Sequence, residues 1–160
     1  MKKIGTLETN YHIYQKSVKT FVIQFEVGSH TISLANLKYC DWMSEETTCF
    51  QAELVIDGKS LGICSNDGHG GCANYYYNGN TREEATAFYE LVRDITREVE
   101  QIEDYCFPKM KMRFPEMLDQ LASFVLTFRD NDVTTATRAK AVINALQQTA
   151  DGYRERYKNK

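Results

Sequence analysis

The hydrophobic periodicity of the chain changes near residue 80, and this change limits the possible folds more than any other feature of the sequence. Before it, apolar and polar residues alternate at every second position, as in strands with one buried face. After it, apolar residues recur every three or four positions, which is typical of amphipathic helices. The sequence therefore predicts an α+β fold in which an antiparallel sheet is followed by helices.

The first half contains signals for about four to five strands. In Phe21–Val27 the polar residues Gln24 and Glu26 separate apolar ones, and Phe50–Ile56 shows the same alternation before Asp57-Gly58. That dipeptide favours a tight hairpin, because both of its residues tolerate positive φ. The predicted strands comprise residues 21–27, 31–42 with a bulge near Asn36, 50–57, 61–63 and 75–77.

The second half contains three predicted helices that pack on the sheet. Thr81 and Glu84 form a capping box, so the first helix starts there. Pro115 favours the start of the second helix, and the polar run Asp130-Asn131-Asp132 separates it from the third. We expect one domain over residues 1–160, β-rich in 1–80 and helical in 81–160. The alternative, a β module followed by an independent helical hairpin, would leave each part with a small core.

The net charge, the N-terminal sequence and the cysteine count bear on the class of partner and on the cellular compartment. Its formal net charge is −3, so it offers no general attraction for nucleic acid, which we consider an unlikely partner. The N-terminus lacks the apolar run of a signal peptide, and no stretch is long enough to cross a membrane. Five cysteines are an odd number that suits reduced thiols, and we therefore expect a cytoplasmic protein without membrane contact.

The most unusual stretch is the glycine-rich segment of residues 65–72, which follows the predicted strand at residues 61–63. Its amides could form an anion-binding nest for a nucleotide or another phosphate, with nearby tyrosines stacking on a base. No established phosphate-loop motif is matched, and the composition is equally that of a sharp turn, which we favour. The candidate ligand-binding residues are Asn66, Asp67, Gly68, His69, Gly70, Gly71, Tyr75 and Tyr76.

The same segment raises two chemical alternatives. Cys64, His69 and Cys72 could bind zinc with Cys40 or Cys49 as a fourth ligand, or a cysteine could act as a nucleophile with His69 as base. The spacing matches no standard zinc site and no known cysteine-enzyme signature. We therefore expect no metal, no cofactor and no catalytic group, and regard an enzyme as the less favoured reading.

Two further features suggest contacts with another protein. The segment between Pro108 and Pro115 forms a small cationic surface in which basic residues alternate with Met110 and Met112. Ten tyrosines provide large contact areas at low entropic cost, and Tyr11, Tyr14 and Tyr75 to Tyr77 are candidates for a binding face. The predicted partner-binding residues are Lys109, Lys111 and Arg113.

The loop Ser65-Asn66-Asp67-Gly68-His69-Gly70-Gly71-Cys72, with a strand before it and aromatic residues after it, resembles loops of small proteins encoded by bacteriophages and mobile elements. The resemblance covers the loop and its flanking hairpin. It implies a binder that inhibits a host defence component rather than a metabolic enzyme. We therefore expect a small cytoplasmic protein that binds a host protein stoichiometrically, with phosphate binding and Cys/His catalysis as alternatives.

Overall fold

The computed structural model describes residues 1–40, 47–103 and 110–157, and its first half is one antiparallel sheet. Seven strands pair with their neighbours in strict chain order. This arrangement confirms the predicted N-terminal antiparallel sheet, but the predicted number of strands was too low. The strands are β1 (Lys2–Leu7), β2 (Tyr11–Gln15), β3 (Phe21–Val27), β4 (His30–Tyr39), β5 (Phe50–Ile56), β6 (Lys59–Asn66) and β7 (Asn74–Tyr77).

The two strands missing from the prediction are β1 and β2, where the alternation is weak. The register of β1 shifts between Lys3 and Gly5, which interrupts the two-residue period. In β2, Tyr11 and Ile13 are buried, but the residue between them is His12 rather than a clearly polar one. A bulge and amphipathic side chains therefore hid both strands.

The local backbone predictions for the middle of the sheet are confirmed. The register between β4 and β5 shifts between Ala35 and Lys38, and Asn36 within that interval has a φ of 51°. Asp57 and Gly58 both have positive φ, at 52° and 82°, as a type I′ hairpin turn requires. The predicted end of the second strand at Trp42 lies outside the described residues.

Three helices follow the sheet, as predicted: α1 (Arg82–Val99), α2 (Phe114–Asp130) and α3 (Ala136–Tyr157). Thr81 caps α1, since its hydroxyl accepts a hydrogen bond from the Glu84 amide at 3.2 Å. The Glu84 carboxylate accepts from the Tyr77 hydroxyl, so it ties the helix start to β7 as well. None of the described helices has the length and apolar character needed to cross a membrane.

All three helices pack on the same face of the sheet. α1 contacts β3 and β7, α2 contacts β3 and β4, and α3 contacts β1. Near the centre, the Tyr11 ring lies edge-on to Phe25 and Phe124, with ring centroids 5.0 and 4.9 Å apart. The opposite face of the sheet carries partly exposed side chains such as Tyr14 and Glu26.

The first strand and the last helix are joined by close contacts. Gly5 lies so close to Ile143 that an added Cβ would stand 2.9 Å from the Ile143 Cδ1 atom. Just after β1, Glu8 forms an ion pair with Arg154, and its amide donates to Gln147 at 2.6 Å. The two ends of the described chain are therefore packed together.

Two glycines allow a test of the backbone assignments with opposite expected signs. Gly58→Ala should lower the free energy of unfolding by about 1 kcal/mol, because alanine is strained at positive φ. Gly152→Ala should raise it by about 0.5–1 kcal/mol, because alanine favours the helix interior. An added Cβ would meet nothing within 4 Å at either position, so packing does not complicate the comparison. Urea unfolding measures both; shifts of the same sign would contradict the assignments.

Candidate functional site

The side chain of Asn66 organises the glycine-rich loop from the inside. Asn66 ends β6 and is only 3% exposed. Its Oδ1 atom accepts hydrogen bonds from the Gly68 amide at 2.9 Å and from the Thr47 hydroxyl at 2.7 Å. Its Nδ2 atom donates to the Gly71 carbonyl at 3.2 Å and to an Asp119 carboxylate oxygen at 2.9 Å. One buried amide thus connects both ends of the loop with two other parts of the chain.

Asp119, on α2, holds the far end of the loop. Its second carboxylate oxygen accepts from the Ala73 amide at 2.9 Å. Burial raises the pKa of Asp119, and the hydrogen bonds from Asn66 and Ala73 act in the opposite direction without reversing the shift. The loop is therefore attached to α2 through a partly desolvated carboxylate.

The loop backbone requires its glycines. Gly68, Gly70 and Gly71 have φ values of 85°, 95° and 82°, in a region that other residues rarely adopt. Asp67 closes a further small turn, because its Oδ1 atom accepts from the His69 amide at 3.1 Å. This geometry fits the predicted sharp turn.

Several amides of the predicted anion nest already have partners within the protein. The Gly68 amide donates to Asn66, the His69 amide to Asp67, and the adjoining Ala73 amide to Asp119. A bound phosphate would have to displace such bonds and would lie near two carboxylates, which repel it. The bonded amides and the nearby carboxylates both oppose anion binding, which stays a prediction for this loop.

The three consecutive tyrosines of β7 do not share one surface. The Tyr75 ring packs edge-on against Phe114 at 5.2 Å between centroids, and Tyr77 packs against Phe88 at 5.9 Å. Tyr76 points to the opposite face and is 50% exposed. Of the two tyrosines predicted to bind a ligand, only Tyr76 therefore presents a largely open ring.

A cleft lies beside the loop, where β4 and β6 end and β5 begins. Its volume is about 330 Å³. It joins Asn66 and Asp67 of the loop to Cys40, which directly follows β4, and Cys49, which directly precedes β5. The lining residues are Lys38, Tyr39, Cys40, Cys49, Phe50, Gln51, Ser65, Asn66 and Asp67.

The cysteines predicted as metal ligands or nucleophiles differ in burial. Cys64 is fully buried among helix-facing residues, and burial raises the pKa of its thiol to about 12, so it is protonated at neutral pH. Cys72, in contrast, is exposed. Across residues 1–40, 47–103 and 110–157, no group of three or more His, Cys, Asp or Glu side chains could hold a metal ion. Cys106 lies outside these ranges.

The predicted cationic surface leads directly into α2. Lys109 is outside the described residues, whereas Lys111 and Arg113 are exposed. Arg113 precedes the helix and lies 3.8 Å from the Glu116 carboxylate. Met112, which we expected on the same surface, is buried instead, so the segment is anchored in the core rather than wholly exposed.

The structure brings the two predicted binding regions to the same end of α2. Arg113 stands at the start of the helix, and Asp119, which holds the loop, follows about 9 Å along the axis. Tyr75 of β7 also packs on Phe114, the first residue of the helix. The loop and the basic segment are far apart in the sequence, and tertiary contacts of α2 bring them together.

A polar cluster on the open face of the sheet was not predicted. The Tyr14 hydroxyl donates to the Glu26 carboxylate at 2.8 Å, and His12 Nδ1 lies 3.4 Å from the same oxygen. Burial lowers the pKa of His12, although Glu26 opposes this shift. Finding the cluster would have required the register between β2 and β3.

Tyr11, expected on a binding face, is buried in the core instead.

The sequence matches no known protein-family model, no curated protein and no solved structure.

Asn66 offers a test of how the loop is held. Asn66→Ala should lower the free energy of unfolding by about 2–3 kcal/mol, because it leaves the buried Gly68 amide and a partly buried Asp119 carboxylate oxygen without their partner. Asp67→Ala, at the exposed neighbouring position, should cost about 0.5 kcal/mol or less. Urea denaturation followed by circular dichroism measures both, and equal losses would refute the central role of Asn66.

The ionisation of Asp119 predicts a pH dependence of stability. Its pKa is higher in the folded than in the unfolded state, so the folded protein binds the proton more tightly. Stability relative to Asp119→Asn should therefore increase as the pH falls from 7 through the folded pKa, and level off below the unfolded value of about 3.9. Urea titrations between pH 7 and pH 3.5 measure this difference. A relative loss of stability on acidification would show that the hydrogen bonds outweigh burial.

Proposed function

We propose that this protein acts by binding another protein in a one-to-one complex, through the exposed side of the glycine-rich loop and the start of α2. We call this area the loop–α2 surface and define it by Asp67, His69, Cys72, Lys111 and Arg113. The observation that carries the proposal is the pair of hydrogen bonds by which Asp119 fixes the loop on α2.

Preorganisation of the loop favours recognition of a large partner. Ordering a loop on binding costs free energy that weakens a complex, and a loop already held in place avoids most of that cost. Here the internal bonds of Asn66 and Asp119 fix the backbone, while the Asp67, His69 and Cys72 side chains face solvent. The loop therefore offers a defined shape without needing a ligand to order it.

The charges of the loop–α2 surface define the chemistry of the partner. Residues 65–73 contain no lysine or arginine, and Asp67 is their exposed acidic group. Lys111 and Arg113 add positive charge at the start of the helix. A partner surface with a basic group opposite Asp67 and an acidic group opposite Arg113 fits this arrangement, and such pairs mainly determine orientation and specificity.

The resemblance of the loop to those of phage and mobile-element proteins supports a host protein as the partner, and in particular a component of host defence. The action is then stoichiometric inhibition in the cytoplasm. Sequestration of a nucleotide or another phosphate is the competing function, and it requires the loop amides to exchange the partners that they have now.

The proposal is tested by capture and then by reconstitution. The tagged full-length chain is used to retrieve proteins from a bacterial lysate, and each candidate is purified and mixed with it. Light scattering after gel filtration should show a one-to-one complex. Asp67→Lys and Arg113→Glu should each weaken binding about tenfold or more, because each places like charges together.

Lys140→Glu serves as the matched control. Lys140 is exposed on α3, the helix that packs on β1 at the opposite edge of the sheet from β7, so its reversal should leave affinity unchanged. Equal weakening by all three variants would not depend on where the charge lies and would contradict the proposed surface. A nucleotide released from the denatured protein, with no protein partner recovered, would favour the phosphate-binding alternative.

A further inference from the structure

Two cysteines face each other across the sheet beside the loop. Cys40 directly follows β4, and Cys49 directly precedes β5. The last strand pair of that ladder is Tyr39 with Phe50, and the Cys40 amide donates to the Cys49 carbonyl at 3.2 Å. The antiparallel pairing therefore continues by one more position, at which the two cysteines are direct partners.

The separation of such partners suits a disulfide bond. The bond that the Cys40 amide donates makes this a hydrogen-bonded pair, in which opposite Cα atoms lie about 5.5 Å apart. Disulfide-bonded cysteines have Cα atoms about 4.4–6.8 Å apart. The Cys40 side chain also lies within hydrogen-bonding reach of the Cys49 thiol. No large backbone movement is then needed to join the two sulfur atoms.

Small reagents can reach this pair. Both cysteines are partly exposed and line the cleft of about 330 Å³ beside Asp67. Cys64, by contrast, is fully buried on the helix-covered side of the sheet. The structure thus distinguishes an accessible, opposed pair from an inaccessible single thiol.

We propose that Cys40 and Cys49 form a reversible disulfide in this cleft, and that the physiological oxidant is a low-molecular-weight disulfide such as glutathione disulfide. The inference does not depend on the proposed function, because it rests on the pairing of β4 with β5 and on access through the cleft.

The exchange balances in two steps. One cysteine thiolate attacks a sulfur atom of glutathione disulfide, breaks its S–S bond and releases one glutathione. The second cysteine thiolate attacks the sulfur of the first cysteine and releases the other glutathione. Two protein thiols are oxidised to one disulfide, one glutathione disulfide is reduced to two thiols, and the two protons lost by the protein are taken up by the glutathione products.

The pH dependence of the reaction rate follows from the surroundings of the cysteine pair. Burial, together with the adjacent Cys40 and Asp67, raises the pKa of the Cys49 thiol. Since the thiolate is the reactive species, the exchange should be faster at about pH 8 than at about pH 6.5. This dependence sets the conditions of the test.

The bond can be located by mass spectrometry of the full-length protein. No lysine or arginine lies between Lys38 and Lys59, so trypsin leaves both cysteines in one peptide. After treatment with glutathione disulfide this peptide should be lighter by about 2 Da, and dithiothreitol should restore its mass. A second cleavage, after Glu45 or Glu46, should leave two fragments that stay joined until reduction.

Variants provide the controls. Cys40→Ser and Cys49→Ser should each retain a mixed disulfide with glutathione instead of forming the internal bond, whereas Cys72→Ser should form it normally. Circular dichroism checks that each variant is folded, and the wild-type peptide map decides the matter even if one is not. A tryptic peptide that gains only glutathione, or that becomes joined to peptides containing Cys64, Cys72 or Cys106, would overturn the proposal.

Discussion

Burial of a single apolar face shared by seven strands is the constraint on which this structure depends. Buried apolar side chains line one side of the sheet, and that side has to be covered by another layer. The three helices meet that need together, with α2 over the middle of the sheet and the other two towards its edges. Tyr11, Phe25 and Phe124 show how closely the layers fit, since their rings interlock edge-on near the centre.

Placement of α2 also determines the candidate site. The helix is held by core contacts along its length, and its first turns carry Asp119 to the loop and Phe114 to Tyr75. A loop of glycines has little intrinsic preference for one shape, so its order comes from the groups that bind its backbone. Asn66 and Asp119 supply those groups, and both are positioned by elements of the core. The shape of the exposed loop therefore depends on the hydrophobic packing that positions Asn66 and Asp119.

Much of the fold could be predicted because the controlling interactions are local. The alternation in β3 and β5, the Asp57-Gly58 turn, the bulge near Asn36 and the cap at Thr81 each depend on residues close in sequence. β1 and β2 escaped prediction because a bulge at Lys3 and Gly5 and the amphipathic residues His12 and Tyr14 obscure their period. The site was only partly predictable for another reason. Turn chemistry identified the loop, but Asp119, Thr47 and the opposed cysteines reach it through strand register and helix packing, which no local pattern records.

The contact between α3 and β1 has a consequence for biosynthesis. The ribosome makes β1 before α3, so the inner side of the first hairpin lacks this cover until α3 has been synthesised. Each later strand can add to its predecessor as it emerges, because neighbours in sequence are neighbours in the sheet. The apolar face of the sheet therefore stays exposed on the nascent chain until the helices have been made. Chaperones would be needed most during this interval. Loss of the C-terminal turns of α3, which carry Arg154, would extend that exposed state into the finished protein.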